Sequence, residues 1–198
     1  VSGASCHPAS TLAKGDCRGN NCDMKATTIL AFLFLICAAL PLRAADINDL
    51  TYDASGATVI ITDCDTAASG ALVIPETIGG KPVTSIGEEA FYDCSSLTSV
   101  IIPGSVTSIG DHTFYGCSSL ASVIILYGVT SIGYDAFNSC TSLTSITLPN
   151  SVTSIGHQAF RGCTSLTSIA IPEGVTSIED NAFYNCSSLT SIAVSEGN

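Results

Sequence analysis

Cys94, Cys117, Cys140, Cys163 and Cys186 recur at a step of 23 residues, and thiols at fixed spacing raise two chemistries, disulfide pairing and zinc ligation. Zinc needs four ligands converging on one point, which a linear column of equivalent positions cannot supply. Rungs of a stacked fold lie about 4.8 Å apart, inside the Cα separation a disulfide tolerates. Stacked side chains nevertheless point the same way, and an odd column of five cannot pair completely. The expected state is five buried free thiols acting as small apolar side chains. Cys64 stands outside the column and has no role from spacing. Cys6, His7, Cys17 and Cys22 match no zinc-finger spacing and have hardly an apolar residue around them to fold about a metal.

The other reactive side chains are scattered along the same period. His112 and His157 follow the repeat glycine by two and one places, where other units carry Glu89, Asp135 or Tyr134. No residue is placed to turn either imidazole toward a nucleophile, and serine is so abundant that a triad drawn on paper means nothing without geometry. Glu88, Glu89, Asp111, Asp135, Glu179 and Asp180 fall near one edge of successive units and could collect Ca²⁺, but no dense acidic calcium-loop pattern supports that over a solvated edge. Asn185-Cys186-Ser187 fits a glycosylation sequon beside a core column and is read as accidental. No catalytic residue, cofactor or metal is expected.

Two surface features remain as binding candidates. Thr98, Thr144, Thr167 and Thr190, with the serines that follow them, form hydroxyl ladders on a strand, and Ile101 and Ile124 give way to Thr147 along a neighbouring column. Thr and Ser also simply suit a solvated strand. Tyr92, Tyr115 and Tyr184 share a further column, and tyrosine is favoured at interfaces.

What positions these residues is the repeat itself. Five units begin at Val83, Val106, Val129, Val152 and Val175 and align without a gap on V-T-S-I-G-x-x-A-F-x-x-C-x-S-L-T-S-I-x-I-P-x-x. Each supplies eight apolar or small places, such as Val83, Ile86, Ala90, Phe91, Cys94, Leu97, Val100 and Ile102, which no period of 3.6 accommodates. The segment S-L-T-S-[VI]-x-[IL]-P reads as a strand ended by proline, V-T-S-I-G as a shorter strand closed by a turn glycine, and x-x-A-F-x-x-C as a turn of 3₁₀ geometry. One such unit cannot bury its own apolar face, so units must stack into a solenoid with Phe and Leu columns inside and parallel β-sheet along the stack. The predicted class is mainly β, with short turns or 3₁₀ segments between strands.

Composition fits that picture. Of 198 residues 46% are hydrophobic and only 12% charged, with 17 acidic against 6 basic residues and a formal charge of −11. So acidic a chain excludes a nucleic-acid binder. Residues 24–45 read as a signal peptide: Met24-Lys25, an apolar run from Ile29 to Leu40, and cleavage at Ala44 or Ala45. That run is too short for a comfortable span of about 20 residues, so membrane contact is expected only through the signal or an anchor not seen. Residues 1–23 lie upstream of the signal and read as a disordered leader or start-site artefact. Beyond residue 45 only Lys81 and Arg161 oppose fifteen Asp and Glu, a net of −13. Residues 46–82 are expected to form an N-terminal cap with an irregular first repeat, and 83–198 the five regular repeats. The sequence stops at Asn198 inside a turn, so the last coil is expected to need cover from further sequence, a partner, or a second copy stacked end to end.

The five units resemble the BspA-like leucine-rich repeats of bacterial secreted and cell-surface proteins, strongly over Val83 to Asn198 and weakly over Gly70 to Pro82. The resemblance implies a right-handed leucine-rich-repeat solenoid, repeats without catalytic activity, and adhesion or protein binding at the cell surface. The function expected is a secreted or surface-held, non-catalytic protein whose rigid repetitive face takes a protein or glycan ligand, such as host extracellular-matrix or cell-surface molecules. A spacer array or self-assembling scaffold is the alternative, and an ice-binding protein a remote one.

Overall fold

The computed structural model of the chain describes residues 44–195; the signal run Ile29 to Leu40 and the upstream Cys6, His7, Cys17 and Cys22 lie outside them. Among the described residues no helix is long and apolar enough to cross a membrane. The solenoid expected from the repeat is present. Its coils are built from short parallel strands, the only helix among the described residues being a 3₁₀ turn at Ile47–Asp49 capped by the Asp46 carboxylate.

Each regular coil contributes to two sheets. The first runs through the V-T-S-I-G segments: β5 (Lys81–Ile86), β7 (Ser108–Ile109), β9 (Ser131–Ile132), β11 (Ser154–Ile155) and β13 (Ser177–Ile178), all parallel, with β2 (Val59–Cys64) on the near side of β5. The second runs through the longer segments: β3 (Gly70–Val73), β6 (Leu97–Ile102), β8 (Ser122–Ile125) and β10 (Ser145–Thr147), and β12 (Ser168–Ile171) pairs with β14 (Ser191–Val194) beyond it. Register is one repeat per rung: Ser99 faces Ser122, which faces Ser145. The start of the stack departs from this rule. There β1 (Leu50–Asp53) runs antiparallel on β2, and β4 (Thr77–Ile78) folds back on β5 through Gly79 and Gly80, both at positive φ. Such a turn needs residues without a Cβ clash. Ala44 bridges to Ser69, and the buried Ala45 donates its N–H to the Ser69 carbonyl at 2.7 Å.

The turn segment between the two sheets is not a 3₁₀ helix. In its place stand successive tight turns in which Glu89, His112, Asp135, Gln158 and Asn181, one per coil, hold φ between 51° and 57°. Asp93, Gly116, Ser139, Gly162 and Asn185 form a second left-handed column. The reversal lets N–H groups alternate in partner. In the first coil Ala90, Tyr92 and Cys94 donate within the turn, whereas Glu89, Phe91 and Asp93 donate to Asp111, Thr113 and Tyr115 of the next coil at 2.8–3.0 Å. A third hydrogen-bond ladder thus runs up the stack without a strand. It satisfies backbone that would otherwise be buried and unpaired.

The interior consists of columns. Phe91, Phe114, Phe137 and Phe160 are fully buried, and successive rings from Phe91 to Phe183 stack at 4.8, 5.1, 5.3 and 5.5 Å between centroids. Burying one such side chain contributes about 1.5–3 kcal/mol. The repeat glycine has a different cause from a turn. Gly110, Gly133 and Gly156 are not at positive φ, but a Cβ on any of them would stand 2.6–2.7 Å from the backbone of the coil below. Close approach of coil to coil is what selects glycine here. At the far end Phe183, Cys186 and Leu189 are only partly buried, and Ile178, Ile192 and Val194 are exposed.

Candidate functional site

The thiol column is interior, as the spacing requires, but its members do more than fill space. Cys117, Cys140, Cys163 and Cys186 each donate S–H to the carbonyl of the phenylalanine one coil back, Phe91, Phe114, Phe137 and Phe160, at 3.0–3.2 Å. Cysteine is small enough for the column, apolar enough for the core, and still a donor for the second lone pair of a carbonyl that already accepts one N–H within its own turn. Burial pushes the Cys117, Cys140 and Cys163 thiols well above their ordinary 9.0. These are structural groups held as neutral thiols.

The strand-face candidates lie on the second sheet. Alternation over Ser99–Ile102 and along β8 turns Val100, Ile102, Val123 and Ile125 inward and leaves Ile101 and Ile124 outward, with Ile101 half-buried; Thr98 is exposed as well, outside that alternation. Pairing joins Val73, Ile101, Ile124 and Thr147 into one outward row across four coils. Val73 is 62% and Ile124 42% exposed. Two residues that the repeat pattern did not single out lie just beyond β8 in the same coil as Ile124: Leu126 and Tyr127, 44% and 74% exposed. They sit where the other coils carry Pro103-Gly104, Pro149-Asn150 and Pro172-Glu173, so a departure from the repeat was the available signal. The result is an apolar strip on a rigid sheet, and exposed apolar groups gathered in this way mark interaction surfaces.

The hydroxyl ladders border this strip but are partly engaged. Thr144 and Thr190 donate to the Ala121 and Thr167 carbonyls one coil back at 3.0 and 3.1 Å, while Thr98 and Thr167 are exposed at the same places in their coils. A hydroxyl bonded to the neighbouring coil turns its donor away from solvent.

The tyrosine column divides in two. Tyr92 and Tyr115 stack at 5.1 Å, Asn138 interrupts the column as a buried residue bonded to Asp135 at 2.6 Å, and Arg161 lies 5.6 Å above the exposed Tyr184 ring. The histidines join this surface. His112 contacts Tyr115 and, edge-on, Tyr134 at 4.9 Å, and Tyr134 stacks on His157 at 5.4 Å. The Asp135 carboxylate beside it pushes the Tyr134 hydroxyl upward. Asp135 is itself buried, held by Asn138 and by His112 at 3.6 Å. Stacking of coils also brings one ligand atom each of Glu88, Glu89 and His112 within 4.8 Å of one another, the arrangement among the described residues that could hold a cation. The two carboxylates are exposed.

Residues 84–198 match the model of the BspA type leucine rich repeat region in six copies. No curated protein matches the chain. Among solved structures the chain is similar to a leucine rich repeat protein of T. pallidum, with 35% identity over 76% of this chain and 71% of that one and a TM-score of 0.71. It is similar as well to a leucine-rich repeat protein from Bacteroides ovatus, at 37% identity over 74% of this chain and 40% of that one, and to a leucine rich cell surface protein from Faecalibacterium prausnitzii, at 38% over 75% and 41%, each with a TM-score of 0.64. The chain spans about two fifths of the length of the latter two. Repeat, fold and likeness agree that this chain belongs to the BspA-type leucine-rich repeat family.

Proposed function

We propose that the chain is an exported, non-catalytic binding protein that takes an extracellular protein partner on the outer face of β3, β6, β8 and β10. The observation carrying this reading is the outward row Val73, Ile101 and Ile124, paired rung on rung, with the exposed Leu126 and Tyr127 just beyond β8. A preorganised surface loses little entropy on association, so modest contacts repeated over several coils suffice. Export is supported by the signal pattern of residues 24–45 and by likeness to a protein described as a cell surface protein. With Lys81 and Arg161 the only basic residues beyond residue 45, against fifteen acidic ones, the partner that complements this chain is basic around an apolar centre. The test is binding of the purified chain to extracellular-matrix proteins, mucins and glycans, read at about 0.05 and 0.5 M salt, where screening separates the charged contribution. Saturable binding to a protein, weaker at high salt, is expected; absence of any protein ligand overturns the reading.

A second reading rests on the aromatic row Tyr92, Tyr115, His112, Tyr134 and His157, whose rings lie 4.9–5.9 Å apart between neighbours. Such a row suits the apolar faces of sugar rings. Binding confined to the glycans and abolished by Tyr134→Ala would place the site there instead.

A further inference from the structure

Cys94 is the member of the thiol column that lacks the usual acceptor. Its siblings reach a phenylalanine carbonyl 26 residues back, at 3.0–3.2 Å. Twenty-six residues before Cys94 stands Ala68, in the irregular start of the stack, and the Cys94 sulfur lies instead 3.8 Å from the Cys64 carbonyl and 4.0 Å from that of Asp65. The Cys64 sulfur is 3.7 Å from the same Asp65 carbonyl. Both sulfurs therefore approach the same Asp65 carbonyl oxygen, and both residues are buried. Cys64 ends β2, outside the 23-residue register, so it reaches the Asp65 carbonyl from an element that is not part of the column.

We propose that Cys64 and Cys94 form a disulfide that fastens the start of the stack to the first regular coil. Two sulfurs gathered at one carbonyl, one of them from outside the column, escape the geometric objection that parallel stacking raises against the other cysteines. The oxidant is a small disulfide such as oxidised glutathione. The Cys94 thiolate attacks one of its sulfurs, expels a small thiolate and becomes a mixed disulfide. The Cys64 thiolate then attacks the Cys94 sulfur and expels the second small thiolate. Two electrons pass from the cysteines to the reagent, and the two thiol protons end on the two small thiols. The order of attack follows from the pair: the S–H of Cys64 stabilises a thiolate on Cys94 and holds that thiol below its ordinary value, whereas Cys64 is pushed up. Since both groups are buried, the exchange takes place during folding or on local opening of the residues around β2. Persistence of the bond in service rests on the export reading, because an oxidising compartment is where it lasts.

The test equilibrates the full chain in a glutathione redox buffer, blocks free thiols with an alkylating reagent under denaturing conditions, and maps the digest by mass spectrometry without reduction. The expected product is a crosslinked peptide pair joining Cys64 to Cys94, with Cys117, Cys140, Cys163 and Cys186 alkylated. Reductant should lower the melting midpoint of the oxidised chain by about 5–15 °C and leave that of Cys64→Ala unchanged. Alkylated Cys64 and Cys94 in the oxidised chain, or their pairing with other cysteines, overturns the proposal. The mapping uses the native chain, so it stands even where Cys64→Ala folds poorly. A chain that binds no partner but shows the crosslink separates failure of the binding reading from failure of this one.

Discussion

Replacing Phe137 by alanine removes a ring that is fully buried and stacked on both sides, 5.1 Å from Phe114 and 5.3 Å from Phe160. Loss of transfer energy and the cavity left behind cost about 3–5 kcal/mol for a buried phenylalanine. The cavity cannot collapse, because the third ladder fixes Phe137 and its neighbours at the rung spacing: Phe114 N–H donates to Ala136 and Phe137 N–H to Ala159, each at 2.7 Å. The upper half of the range is therefore expected. Phe183 is the internal comparison. It stacks on one side only and is partly exposed, so Phe183→Ala should cost about half as much, by the dependence on buried contact. For a domain of this size 1 kcal/mol moves the midpoint about 2–4 °C, so Phe137→Ala should lower it by about 8–20 °C. Urea titrations followed by circular dichroism, with calorimetry on the same samples, give both numbers. Equal losses at the two positions, or a loss below about 1 kcal/mol at Phe137, would refute the stacked-column account.

Three further outcomes follow from the same geometry. Gly133→Ala places a methyl against the backbone of the coil below and should cost about 1–3 kcal/mol in urea titration; a neutral result would return this glycine to a turn role. Gln158→Val puts a β-branched residue at a φ of 56° and should cost about 1–2 kcal/mol in the same assay, whereas Gln158→Asn should be tolerated. The buried thiols of Cys117, Cys140 and Cys163 are raised above 9.0 in the folded chain, so the unfolded chain gives up those protons first. Their contribution is full below the unfolded value and falls as pH climbs through 9, and the urea midpoint should fall between pH 8 and pH 10 less steeply in Cys140→Ala than in the parent.

The stack, its step and its columns were legible because a 23-residue period puts the same residue type at the same place in every coil, so burial shows as repetition: Phe91, Phe114, Phe137. The left-handed column was not. Its members are Glu89, His112, Asp135, Gln158 and Asn181, five residue types with no shared signature, and the constraint on them is in φ, which polar side chains tolerate unevenly. The repeat glycine was visible but its cause was not, because a turn and a close approach select the same residue. The thiol column read as apolar filling. Its hydrogen bonds depend on which carbonyl of the preceding coil comes to lie beside each sulfur, something only the path of the backbone shows. On the candidate face Ile101 and Ile124 stood out as strand positions, while Leu126 and Tyr127 break the repeat and so carry no periodic signal. Cys64, off the register, became interpretable only with its sulfur and that of Cys94 at the same Asp65 carbonyl.

The most direct test of the binding account compares the parent chain with Ile124→Lys and Tyr127→Ala in affinity for the protein ligand found in the binding survey, with melting midpoints taken on the same samples. Both side chains are exposed, so the midpoints should stay within about 2 °C of the parent, in line with surface substitutions of about 0.5 kcal/mol or less, while affinity falls tenfold or more, the scale of an anchor residue at an interface. Affinity unchanged in both variants, with folding intact, would contradict the assignment of the site to this face.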